Sequence, residues 1–174
     1  MRSLDDDRQL MLGNLSLSET AIILEDFIRL PASDILENFS KIIVLENEMV
    51  YLTFPKMPET LCVWGHGFSV TMLKSCDWFK NFDIMYFGDL DEHGFQILSD
   101  FRAIFPQTRS LCMDMNTLIK FDKFRCEGKI LKGNSIPAHL TEEELAVFKE
   151  LRRNSGRNRL EQERISLEYI KQKL

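Results

Sequence analysis

Two aspartates, Asp89 and Asp91, follow an apolar and aromatic run, Met85–Phe87, that stops at Gly88. In an extended backbone, residues two apart point to the same side, so the two carboxylates are expected to face the same way. Like charges held this close are unfavourable unless a cation lies between them. The spacing therefore marks Asp89 and Asp91 as candidate metal ligands.

Acidic residues also follow two other apolar runs. Glu46, with Glu48 two residues later, comes after Lys41–Leu45, and Asp114 comes after Ser110–Met113. If these runs are parallel strands, their carboxyl ends share one sheet edge, where α/β proteins keep their ligand sites. Carboxylates without an accompanying His or Cys set favour Mg²⁺ or Mn²⁺ over zinc, and such a site supports phosphoryl transfer.

The elements that would position these acids alternate through the middle of the chain. Apolar, β-branched and aromatic runs predict four strands: Lys41–Leu45, Thr60–Trp64, Asp83–Phe87 and Ser110–Met113. Apolar residues at helical spacing predict helices near Met49–Phe54, Phe68–Phe79, His93–Phe105 and Asn116–Phe121. A glycine turn, Gly65–Gly67, follows the second strand. This order predicts an α/β fold with a mostly parallel sheet of about four strands flanked by helices.

The two ends of the chain carry weaker signals. Residues 1–18 are polar without a clear period and are interpreted as a frayed start or a stub, whereas Ala21–Leu30 fits either a strand or a short helix. Near the other end, Thr141 and Glu144 have the spacing of a capping box at a helix start. A last helix is expected from about Arg159 to Lys173, which gives a C-terminal helical extension.

Composition excludes several classes of protein. With 44% hydrophobic and 28% charged residues, the chain has the composition of an ordinary soluble globular domain. No apolar run is long enough to span a bilayer and the acidic N-terminus does not resemble a signal peptide, so a cytoplasmic location is expected. Three of the four cysteines lie in apolar patterns, and none is part of a CxxC pair. Buried free thiols are therefore expected rather than zinc ligands or disulfides.

The charge is distributed unevenly along the chain. The net charge is −5, but Lys149–Leu174 carries eight basic and four acidic residues, a net +4 beside −9 for the remainder. One interpretation is a solvated helical tail, and the other is a tail that contacts phosphates beside an acidic, metal-binding body. The second interpretation makes four arginines candidate DNA contacts: Arg152, Arg153, Arg157 and Arg159.

Several short stretches of the sequence, taken together, resemble a known family. Ile43–Glu46, a second strand with a glycine turn, and Gly88–Asp91 resemble the Toprim domain of topoisomerases, primases and OLD-type nucleases, with Gly94 as in the topoisomerase VI A subunit. From Lys41 to Leu174 the chain resembles more specifically the C-terminal domain of JetD, the nuclease subunit of Wadjet anti-plasmid systems. The matching phrases are Val44–Asn47, Leu61–Gly67, Gly88–Phe95, Leu111–Asp114 and Leu160–Ile165.

The resemblance implies an activity and a site. It implies a Mg²⁺-dependent (or Mn²⁺-dependent) endonuclease that cleaves double-stranded plasmid DNA together with SMC-like subunits, and that works as a homodimer. Glu46, Asp89 and Asp91 would bind the metal and carry the catalysis. Five further residues are candidates for support of the site: Glu48, His93, Asp114, Glu161 and Glu163.

Several of these supporting residues also have a structural interpretation. His93 fits a residue at a helix N-terminus that the backbone satisfies, and Asp114 fits the N-cap of the following helix. Glu161 and Glu163 fit ordinary acids on a helix surface. For these residues the two interpretations stay open.

One feature departs from the family pattern. JetD proteins carry a substantial N-terminal region that contributes to DNA binding and dimer architecture, whereas about forty residues precede the first predicted strand here. The chain is interpreted as a shortened version, a fragment or a stand-alone Toprim protein. Its expected parts are an N-terminal segment (1–39), a Toprim core (40–125) and the helical extension (126–174).

Two other functions remain open. The first is a non-catalytic Toprim module that docks DNA or a partner. The second is a type II topoisomerase A-like subunit, which would need a nucleophilic tyrosine on a DNA-binding domain. All three tyrosines fall in packed or helical patterns: Tyr51, Tyr86 and Tyr169.

Overall fold

In a computed structural model, the chain is described for residues 1–30, 36–65, 73–131, 133 and 135–174. The strands are β1 (Arg2–Ser3), β2 (Leu10–Leu12), β3 (Leu15–Leu17), β4 (Lys41–Leu45), β5 (Thr60–Trp64), β6 (Asp83–Phe87) and β7 (Arg109–Ser110). The α-helices are α1 (Leu24–Ile28), α2 (Glu48–Thr53), α3 (Glu92–Ile104), α4 (Met115–Lys120), α5 (Glu142–Arg153) and α6 (Leu167–Lys173). Short 3₁₀ turns lie at Asp77–Asn81, Asp122–Phe124 and Gln162–Arg164.

Five of the strands form one sheet, in the order β1-β5-β4-β6-β7, and β2 and β3 form a separate hairpin. Strands β4 and β5 are parallel, whereas β1 lies antiparallel to β5. The fold is therefore mixed α/β, with a mostly parallel sheet flanked by helices, as the sequence predicts and as Rossmann-like folds have it. The edge strand β1 is a fifth strand that the sequence pattern did not reveal.

Three of the four predicted strands have the predicted bounds, and the fourth does not. Strand β7 ends at Ser110, and Leu111–Met113 is buried but irregular. The reason is Cys112, whose φ of 57° lies in the left-handed region, which a strand cannot contain. Residues 66–72, which hold most of the predicted glycine turn and the first part of the predicted helix Phe68–Phe79, lie outside the described residues. The last part of that predicted helix is wrong, because the chain there forms the 3₁₀ turn Asp77–Asn81 instead.

The chain packs as two compact units, Met1–Met85 and Tyr86–Leu174. In the first unit, the expectation of a frayed start is wrong, because Arg2 and Ser3 pair with β5 and the following residues form the β2–β3 hairpin. Strands of two or three residues are too short to show a period in the sequence. The ambiguous segment near residue 25 is the short helix α1.

The second unit is built around α3 and α5. Phe95, Leu98 and Phe101 of α3 are buried, and α5 buries Val147 and Phe148. The predicted capping box is confirmed. Thr141 Oγ1 accepts the Glu144 N–H at 3.3 Å, and the Glu144 carboxylate accepts the Thr141 N–H at 2.8 Å.

The predicted final helix is correct only in its last part. Helix α6 begins after Ser166, whose side chain accepts the Tyr169 N–H at 3.3 Å. Before it, Arg159 and Leu160 are extended, because each pairs with another segment through a β-bridge: Leu160 with Leu90, and Arg159 with Cys126. These tertiary hydrogen bonds override a local pattern that favours helix.

Three of the four cysteines are buried, as the sequence predicts. Cys62, Cys76 and Cys112 are buried free thiols, as expected, and Cys126 is exposed. Among the described residues, no helix is both long and apolar enough to cross a membrane.

A buried ion pair joins α3 to α5. Glu144 accepts hydrogen bonds from Arg102 at 2.6 and 2.8 Å and from the Ser110 hydroxyl at 2.6 Å. The two charged side chains are 13% and 5% exposed, so little water competes for them. Burial opposes ionisation of Glu144, but the bonds from Arg102 and Ser110 outweigh it and lower its pKa.

We expect Glu144→Ala to lower the free energy of unfolding by about 3 kcal/mol, because it leaves a buried guanidinium without its partner. Since the pKa of Glu144 is lowered on folding, its contribution is present above its unfolded pKa of about 4.3 and is lost as the pH falls through the folded value. Urea unfolding of the wild type and of Glu144→Ala, at pH 7 and at pH 3, measures this contribution to the free energy of unfolding. The difference from wild type should shrink at pH 3, and Glu143→Ala, an exposed acid in the same turn, should have little effect.

Candidate metal centre

The candidate site begins where β6 ends. Leu90 is completely buried and forms a two-bond bridge with Leu160, with N···O distances of 2.9 and 3.1 Å. Because side chains alternate along an extended segment, the inward position of Leu90 places Asp89 and Asp91 on the opposite face. The two aspartates therefore share one face, as their spacing predicts.

Asp91 also begins helix α3. Its Oδ1 accepts the Gly94 N–H at 2.8 Å, which makes Asp91 the N-cap and fixes its side-chain rotamer. At Gly94 a Cβ atom would lie 2.1 Å from the Asp89 carbonyl oxygen, closer than any real contact. Glycine is thus required here so that the first turn of α3 can pack against the backbone of Asp89.

A cation lies between the two carboxylates, and it is Arg159. Its Nη2 donates to Asp89 Oδ2 at 2.6 Å, and its Nε lies 3.5 Å from Asp91 Oδ2. The same Nη2 lies 3.6 Å from Glu161 Oε1. The second oxygen of Asp89, Oδ1, accepts the Gln162 N–H at 2.9 Å. Both aspartates therefore turn their Oδ2 atoms toward one positive group.

The electrostatics of the site reflect burial and this shared cation. Asp91 is 6% exposed, and this burial raises its pKa. The hydrogen bond from Gly94 lowers the pKa and the neighbouring Asp89 raises it, so that the net change is upward. Burial opposes the charge of Arg159, but the adjacent carboxylates, Asp89 foremost, raise its pKa. The site stabilises positive charge.

The two aspartates are ligands of the kind that a small divalent cation takes in proteins. Mg²⁺ in proteins is commonly held by one or two carboxylates and otherwise by water and substrate phosphates. The Oδ2 atoms of Asp89 and Asp91 lie 2.6 and 3.5 Å from Nη2 and Nε of the same guanidinium, so each aspartate turns one hard oxygen toward the same cation. Among the described residues, no three His, Cys, Asp or Glu side chains form a metal-binding group.

Glu46 lies in the first unit, directly after β4. It is partly buried, and its backbone carbonyl accepts the indole N–H of Trp64 at 3.2 Å. Asn47, the next residue, is the N-cap of α2 and accepts the Val50 N–H at 3.1 Å, and Glu48 is exposed in the first turn. The turn from strand to helix is as predicted. That Glu46 shares a metal with Asp89 and Asp91 stays a prediction.

The structural interpretation of Asp114 is confirmed. Its carboxylate caps α4 by accepting the Thr117 N–H at 2.7 Å, and it pairs with Lys173 at 2.9 Å. Burial opposes its ionisation, but the bond from Lys173 and those from Thr117 lower its pKa. His93 and Glu163 are exposed, and Glu161 approaches the acid pair through Arg159. A role for these residues in a metal site stays a prediction.

Among the described residues, three of the four candidate DNA-binding arginines have ion-pair partners. Arg152 pairs with the buried Glu92 at 2.8 Å, Arg157 pairs with Asp122 at 2.9 Å, and Arg159 pairs with the acid pair as described. Arg153 is exposed at the end of α5. Contact with DNA stays a prediction for all four.

The role of Arg159 is the feature that sequence reasoning missed. The predicted helix from Arg159 to Lys173 would have placed this arginine on a solvated surface. The signal that was available is the alternation Arg159, Leu160, Glu161, an apolar residue between two charged ones, which is typical of an extended segment with one buried face.

We expect Gly94→Ala to destabilise the protein by about 2 kcal/mol or more and to displace the Asp89–Asp91 turn, since the new methyl group meets a backbone carbonyl. Thermal unfolding measures the first effect. Gly156→Ala is the matched control, because its Cβ meets no atom within 4 Å. Equal unfolding temperatures for the two variants would contradict this account of the turn.

Comparisons with known proteins identify the family. A search of curated proteins finds no significant match. The model of one family, described as the C-terminal part of the Wadjet protein JetD, matches residues 7–174, which is nearly the whole chain. The chain therefore belongs to the family of JetD C-terminal domains of Wadjet systems.

Proposed function

We propose that the chain is the DNA-cleaving part of a Wadjet system: a Toprim-type, Mg²⁺-dependent or Mn²⁺-dependent endonuclease that acts on double-stranded plasmid DNA. The observation that carries this proposal is the convergence of Asp89 Oδ2 and Asp91 Oδ2 on one cation at the end of β6. Membership of the JetD family supports it, because it connects the chain with plasmid defence.

In this proposal Asp89 and Asp91 hold the metal, together with Glu46. The bound metal would activate water and stabilise the leaving oxygen of a phosphodiester. The two aspartates are preorganised for this role. Gly94 holds Oδ1 of Asp91 and the Gln162 N–H holds Oδ1 of Asp89, so each Oδ2 is already turned toward the cation position. Fixed ligands lose little entropy when the metal binds.

The DNA would be held mainly by the basic C-terminal part of the second unit. DNA binding by an acidic chain requires that positive charge be concentrated in one region, and Lys149–Leu174 carries a net +4. Arg153 and Arg157 are exposed in that region. The SMC-like subunits of the system would present the DNA, and a second copy of the chain would cut the opposite strand.

A second function is favoured by one observation. The guanidinium of Arg159 occupies the position between Asp89 and Asp91 and satisfies both charges without a metal. A domain that uses this arrangement permanently would be a non-catalytic module that docks DNA or a partner. Metal binding separates the two functions, because the module would bind no divalent cation.

We expect Asp89→Asn and Glu46→Gln each to reduce metal-dependent nicking of supercoiled plasmid by about 100-fold or more, since each removes a charged metal ligand. The assay uses Mg²⁺ or Mn²⁺, with the chain alone and in complex with its Wadjet partners. Glu143→Gln, an exposed acid of α5 outside the proposed site, is the control and should cut like wild type. Unchanged cutting by folded Asp89→Asn protein would refute the proposed site.

A further inference from the structure

We infer that Arg159 is the resident counter-cation of the Asp89–Asp91 pair, and that a divalent metal binds there by displacing its guanidinium. Arg159 is then a positioning residue that sets the metal affinity of the site. This inference rests on the proposed function, because it assumes that Asp89 and Asp91 bind the metal.

Arg159 and a metal compete for the same carboxylate oxygen atoms. Arg159 holds Asp89 Oδ2 through one hydrogen bond of 2.6 Å, and Asp91 Oδ2 lies 3.5 Å from its Nε. Both Oδ1 atoms already accept backbone N–H groups, from Gln162 and Gly94. Each Oδ2 faces Arg159 instead, so a metal bound to the two Oδ2 atoms would lie beside the guanidinium, and two cations that close repel each other.

The backbone of Arg159 is held at the site by hydrogen bonds to two other segments. Arg159 exchanges two hydrogen bonds with Cys126, at 2.9 and 3.0 Å, and Leu160 exchanges two with Leu90, the residue between the two aspartates. The α-carbon of Arg159 is thus held in place relative to the acid pair. Its nearness to the carboxylates follows from this pairing and not from the chance position of a surface side chain.

The chain leaves space for the aliphatic part of the Arg159 side chain. A Cβ atom on Gly128 would lie 2.7 Å from Arg159 Cβ and 3.1 Å from its Cδ. Asn158, which is 1% exposed, holds Gly128 in place by accepting its N–H at 2.8 Å and donating to its carbonyl at 3.3 Å. The stem of Arg159 therefore packs against a glycine backbone that directs the guanidinium toward the carboxylates.

The guanidinium of Arg159 is able to leave the site while the backbone of this residue stays in place. The side chain of Arg159 is 34% exposed, so the protein does not fully enclose it. Its Nε is buried and makes no hydrogen bond to the described residues, so its contact with Asp91, at 3.5 Å, is loose. A metal that coordinates both Oδ2 atoms replaces one good hydrogen bond and one loose contact, and rotation of the side chain alone vacates the position.

The test is the affinity of the purified chain for Mn²⁺ and Mg²⁺, measured by isothermal titration calorimetry. We expect Arg159→Gln to bind the metal about tenfold more tightly than wild type, because the competing charge is gone. Arg159→Lys, which keeps the charge, should bind much as wild type does. Arg109→Gln, an exposed arginine of β7, controls for the loss of one positive charge and should not change the affinity.

The sign of the effect separates competition from a merely structural role. If Arg159 only supported the local fold, its loss would weaken metal binding, and equal or weaker binding by folded Arg159→Gln protein would overturn the inference. Thermal unfolding in EDTA gives a second readout. Arg159→Gln should be less stable than wild type without metal and should gain more stability when Mn²⁺ is added.

Two further measurements keep the outcomes distinct. If Asp89→Asn binds Mn²⁺ as wild type does, the proposed metal site itself fails; if it loses binding while Arg159→Gln equals wild type, only the inference fails. In wild-type protein, the NMR resonance of the Arg159 Nε–H group should move toward the position of a solvated arginine as Mg²⁺ saturates the site. An unchanged resonance at saturation would also overturn the inference.

Discussion

The site depends on one electrostatic constraint: two carboxylates, one of them buried, face the same way at the end of a strand. Asp91 is 6% exposed, and burial and the neighbouring Asp89 raise its pKa, so a cation beside it favours its charged form. In the structure this cation is the guanidinium of Arg159, 2.6 Å from Asp89. The surrounding chain is arranged to keep the aspartates together and the cation near them.

That arrangement joins three separate segments of the second unit. Gly94 allows the first turn of α3 to pack on the backbone of Asp89, and the bridge between Leu90 and Leu160 brings the C-terminal segment alongside. The bridge between Cys126 and Arg159 adds the segment after α4. Backbone hydrogen bonds therefore hold the segments of the site in place, whereas the two carboxylate charges attract the cation.

The sequence predicted the parts of this site that depend on neighbouring residues, and missed the parts that depend on distant ones. Strand β6 and the paired aspartates lie within one short stretch of sequence, and the capping box of Thr141 and Glu144 lies within another. Arg159 was assigned to a helix, because its pairing with Cys126 leaves no mark in the local pattern. Cys112 and the two-residue strand β1 were missed for similar reasons, since neither a single left-handed residue nor so short a strand produces a period.

The central claim is that one position between Asp89 and Asp91 takes either Arg159 or a divalent metal. Anomalous diffraction from a crystal of the wild-type protein soaked in Mn²⁺ tests it directly, because it locates the metal and the arginine in the same experiment. We expect a manganese peak within coordination distance of both Oδ2 atoms, with the guanidinium turned away toward solvent. A peak elsewhere in the chain, or a peak at the pair with the guanidinium still bonded to Asp89, would contradict the account.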